Sequence, residues 1–118
     1  MRNECNVKKV QYAKHVPGMV DHHHIVFLTR SGEMLFTGFF LRIGDAKRTA
    51  EHIMRGKASS TIFLPLPGVF MLEREIYDKD LVNMAKAGEL VDCVVVENAP
   101  ESVEELLTFA DKTFRSSS

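Results

Sequence analysis

The sequence predicts an α+β fold: one compact domain over residues 1–118, built on a mixed, mostly antiparallel sheet of about five or six strands with three helices. Three observations carry this. Val91-Asp92-Cys93-Val94-Val95-Val96-Glu97 is rich in β-branched residues, with Val91, Cys93 and Val95 on one side and Val94 and Val96 on the other. A strand apolar on both faces needs cover on both, which places it in the middle of a sheet. Glu101 to Phe114 repeats apolar residues at helical spacing, through Val103, Leu106, Leu107, Ala110 and Phe114. Ahead of these, strand-like and helix-like stretches follow the order β-β-β-α-β-β-α-β-α, with hairpin signals early and helical crossovers late. Helices are expected mainly on one face of the sheet, with room for cover on the other.

Taken in order, Val7 to Val16 alternates weakly, with Val10, Tyr12 and Val16 sharing a side with Lys8 and Lys14. Exposed lysines discourage edge-to-edge pairing, so this reads as an edge strand, broken at Pro17-Gly18. His22 to Thr29 and Glu33 to Ile43 read as two strands of a hairpin joined at Arg30-Ser31-Gly32. Both carry apolar residues on both faces and are expected well inside the sheet, with Gly38 marking a bulge or a close approach.

Gly44-Asp45 is expected to end that strand, with Asp45 as N-cap of a helix running to about Arg55. Ala46, Ala50, Ile53 and Met54 form its apolar stripe, Lys47, Arg48 and Glu51 face water, and Gly56 closes it. Ser60 to Leu64 and Val69 to Ile76 read as strands on either side of Pro65-Leu66-Pro67-Gly68, a stiff turn that confines the segment to an edge or corner. A second helix is expected over Lys79 to Ala87, capped by Asp78 or Asp80, with Leu81, Val82 and Ala85 inward and Gly88 after it. For the last helix Pro100 fits the first turn, and Ser102 with Glu105 offers a capping box as an alternative start. Frayed termini are expected at about residues 1–6 and 115–118.

Fifteen basic residues against sixteen acidic ones leave a net charge of −1, so nucleic acid is not indicated as a partner. Met1 to Asn6 has no apolar core of a secretory signal, and the longest apolar run, Met34 to Leu41, is too short to span a bilayer. No membrane partner is expected. Two cysteines do not make a disulfide framework: Cys93 reads as a small buried hydrophobe and Cys5 as a loosely held terminal thiol, which fits the cytoplasm.

Chemistry-bearing residues are sparse. In Asp21-His22-His23-His24, residues two apart on a strand point the same way, so His22 and His24 could offer two imidazoles to one metal. A third ligand would have to come from elsewhere, such as His15 or His52; the same residues also fit a plain polar strand start or a pH-responsive surface. Gly44-Asp45-Ala46-Lys47-Arg48 puts two cations at a helix start, where anions bind, yet lacks the glycines of a phosphate loop. Ser59-Ser60-Thr61 has no nucleophile elbow, and the pairs Glu73/Glu75, Asp78/Asp80 and Glu104/Glu105 are explained by wet faces and caps. No cofactor is expected and no catalytic residue stands out.

Pro65, Leu66, Pro67, Val69 and Phe70 are the candidate partner-binding residues. If Leu66 and Phe70 cannot both be buried around a proline-stiffened turn, its tip is a rigid apolar knob that contacts another protein or a second copy. The expected function is therefore a small non-enzymatic interaction module, a regulator, adaptor or inhibitor that occludes a partner, with a homodimer open. A histidine-cluster metal protein or metal-dependent enzyme is the first alternative. The second is a small-molecule or nucleotide-binding domain with its ligand near Asn98, Ala99 and Pro100, past the C-terminal end of the central strand.

Overall fold

The structure, a computed structural model, describes residues 7–36, 40–56 and 78–116, with only the backbone path for residues 78–80. Within them the order is β1 (Lys8–Gln11), β2 (His24–Thr29), β3 (Met34–Phe36), α1 (Ile43–Met54), α2 (Asp78–Lys86), β4 (Leu90–Glu97) and α3 (Val103–Ser116). The expected strands at 60–64 and 69–76, the Pro65-Leu66-Pro67-Gly68 turn and Gly38 lie outside the described residues. The described sheet thus has four strands, in the order β1-β4-β2-β3.

β4 is an interior strand, paired parallel with β1 and antiparallel with β2. Its two faces feed two separate cores. Cys93 and Val95 join Ile25 and Phe27 of β2 under Ala46, Ala50 and Ile53 of α1 and Leu81 and Val82 of α2. Val94 and Val96 join Val26 and Phe36 under Leu106 and Ala110 of α3. Two helices therefore cover one face and the third covers the other, the arrangement a strand apolar on both sides requires.

Local chemistry accounts for most boundaries and corrects several expectations. β2 and β3 form the expected hairpin, closed by Thr29 N–H donating to Glu33 O at 2.8 Å, with Gly32 at φ 93°. β3 pairs with β2 over Met34–Phe36, and Phe40 pairs again with His23; the expected strand does not reach Ile43, which already belongs to α1. Arg42, in extended conformation, is the N-cap of α1. Asp45 sits inside the first turn instead of capping it, and its carboxylate takes a hydrogen bond from Arg48 at 2.7 Å. α3 begins at Val103, so Pro100 stands before the helix and Ser102 is its cap: Ser102 Oγ accepts the Glu105 N–H at 3.3 Å.

Val91 is the clearest correction. Thr29 pairs with Leu90 and Leu28 with Asp92, so Val91 is an extra residue bulged out of the ladder. The bulge reverses the alternation behind it. Leu90, not Val91, joins Cys93 and Val95 in the core, and Val91 is left 53% exposed.

Candidate functional site

β1 and β2 flank β4, so the chain from residue 12 to residue 23 has to cross over the C-terminal end of β4. That crossing is tied down at both ends. On the β1 side, Tyr12 N–H donates to Glu97 O at 2.7 Å and Asn98 Nδ2 donates to Ala13 O at 2.7 Å. On the β2 side, Ala99 N–H donates to His22 O at 2.7 Å and Asn98 N–H donates to His23 Nδ1 at 3.1 Å. Asn98 serves both sides because it adopts a left-handed backbone, φ 54°, which a short amide side chain tolerates better than a branched one. His15 Nδ1 and Asp21 Oδ1, 2.7 Å apart, close the neck of the loop.

Between these ties lies Val16-Pro17-Gly18-Met19-Val20, turned by Met19 N–H donating to Val16 O at 3.0 Å. Pro17 and Gly18, the latter at φ 87°, make the turn tight. Val16, Met19 and Val20 are 58, 65 and 66% exposed. A loop with a fastened neck thus presents three large apolar side chains to water within five residues. The sequence holds this signal in plain form, apolar residues around a Pro-Gly pair. Val16 also continues the alternation of an edge strand, and Pro17-Gly18 also reads as a plain break, which masks the signal.

A second feature lies beside the loop on the α3 face of the sheet. Tyr12, Glu104, Glu105, Thr108, Phe109 and Lys112 line an open groove of about 360 Å³. Tyr12 stands edge-on to Phe109, ring centroids 5.1 Å apart, and its hydroxyl donates to Glu105 Oε2 at 3.1 Å. That hydrogen bond, more than partial desolvation or the charge of Glu105, raises the Tyr12 phenol above its ordinary value.

The histidines do not converge. His24 is fully buried on the α3 face against Phe36, ring centroids 6.0 Å apart. His52 rides on α1, on the opposite side of the sheet, and His15 is engaged with Asp21 at the loop neck. His22 is half-buried and lends its carbonyl to Ala99. Among the described residues no three His, Cys, Asp or Glu side chains are placed to hold a metal ion. His23, which pattern alone assigns no role, is 3% exposed and exchanges backbone hydrogen bonds with Phe40.

The remaining candidates are quickly placed. The two cations of the Gly44–Arg48 stretch lie within the first turns of α1, with Arg48 on Asp45. At the end of β4, offered as a ligand edge, the backbone N–H groups of Asn98 and Ala99 are taken up by His23 Nδ1 and His22 O, and the Asn98 side chain by Ala13 O. Pro65, Leu66, Pro67, Val69 and Phe70 lie outside the described residues. No described helix is long and apolar enough to cross a membrane. No family model, curated protein or solved structure matches the chain.

Proposed function

We propose that this chain is a protein-interaction module, a small regulator, adaptor or inhibitor that seats an apolar loop tip on a partner and occludes it. The observation that supports the reading is the exposed trio Val16, Met19 and Val20 on a loop fastened at both ends. Scattered exposed apolar residues are ordinary on any protein surface. Three on one tight turn form a patch, and a turn held in place before binding loses less conformational entropy when it docks. The Pro65 to Phe70 stretch has the same composition and is a second candidate for the same role. Burying one Val or Met side chain at a contact is worth roughly 1.5–3 kcal/mol, so three side chains offset a large part of the cost of association.

The test uses the double variant Met19→Asp/Val20→Asp. A protein captured by the wild-type chain is identified, purified and titrated against both forms by calorimetry. The expected result is an affinity at least ten-fold weaker for the variant, about 1.4 kcal/mol or more, with its melting temperature held because both sites are exposed. Equal affinities would remove the loop tip from the binding surface.

A further inference from the structure

We infer that the tip's partner is a second copy of this chain, and that its seat is the Tyr12–Phe109 groove of that copy. The inference rests on reading the tip as an interaction surface and names what it enters. Knob and groove are neighbours: Tyr12 lines the groove and Ala13, the next residue, is the root of the loop. A two-fold axis passing between them carries each tip to the other copy's groove, so one kind of contact is made twice. The groove has an aromatic wall, Tyr12 against Phe109, suited to a Met thioether and to Val methyls.

Charge favours the same pairing. Glu104 and Glu105 stand at the N-terminal end of the groove, and Lys112 lies two helical turns further along. Around the tip, Asp21 is turned onto His15, and Lys14 is the exposed cation beside it. Docking Val16 to Val20 at the groove brings Lys14 towards the two glutamates. Contacts of this kind at an interface rim add little affinity, but like charges placed there are strongly unfavourable, which makes reversal diagnostic.

Sedimentation velocity of the full chain, across about 5 to 500 μM, tests the inference. The expected species is a dimer of the 13.3 kDa chain that Met19→Asp dissociates. Lys14→Glu and Glu104→Lys should each weaken it about ten-fold, and the double variant should return to within about three-fold of wild type. Rescue by the double reversal is a result that damage to the fold cannot imitate. A wild-type monomer throughout, or a double variant no tighter than either single one, overturns self-association. Either outcome leaves the tip itself to the calorimetric comparison above, where only loss of tip dependence counts against the interaction reading.

Discussion

At the scale of single residues, His23 joins the loop to the core. Its Nδ1 accepts the Asn98 N–H, so the neutral ring carries its proton on Nε2, and protonating Nδ1 breaks that bond. Burial holds the imidazole below its ordinary 6.5; the charges of Asp21 and Glu97 oppose the shift, and His22 and Lys9 add to it. Because the folded value lies below the unfolded one, the unfolded chain binds the proton first as pH falls. Stability should be insensitive to this group above about pH 6.5, decline as pH drops below it, and level off beneath the folded value. His23→Asn keeps an acceptor near the Nδ1 position without the titration. Urea midpoints at about pH 7 and pH 5.5 should fall further for wild type than for His23→Asn. Matching declines would mean that other groups carry the acid sensitivity.

Among the elements, α1 and α3 differ in how they start. Ser102 caps α3 with its hydroxyl, whereas Arg42 holds the cap position of α1 with extended backbone and no side-chain hydrogen bond. Ser102→Ala should therefore cost about 1 kcal/mol, while Arg42→Asp should stabilise by about 0.5–1 kcal/mol through a new cap and a better charge at the helix N-terminus. Paired urea titrations decide it, and a destabilised Arg42→Asp would show that the arginine has work elsewhere. The C-terminal ends of α1 and α2 were legible from sequence because apolar stripe and terminal glycine agree: Gly56 and Gly88 both take positive φ just past α1 and α2. The α1 start was not legible. Gly44-Asp45 looks like a strand end and cap, yet Ile43 packs against the core and the helix starts three residues further back, with Arg42 as its N-cap.

At the scale of the whole molecule, sequence shows that the valine strand is interior but not what lies beside it. β1 is separated from β4 by some eighty residues, Lys8 facing Val94, and no local pattern encodes that pairing. The bulge at Val91 is equally silent, since an inserted residue leaves the composition of the strand unchanged. Yet these two facts create the candidate site. Inserting β4 between β1 and β2 forces the 12–23 connection across the strand end, and the apolar tip is a consequence of that crossing. The scaffold beneath it must then be more stable than the loop it carries. Cys93, 3% exposed between β2 and the α1–α2 layer, reports on this directly. In a Cys5→Ser background, labelling of Cys93 should require opening of the sheet, with a rate that rises with urea in step with the unfolded fraction. Stoichiometric labelling within the mixing time in native buffer would place the thiol at the surface. It would also undo the interior position of β4 on which the crossing, the fastened neck and the presented tip all depend.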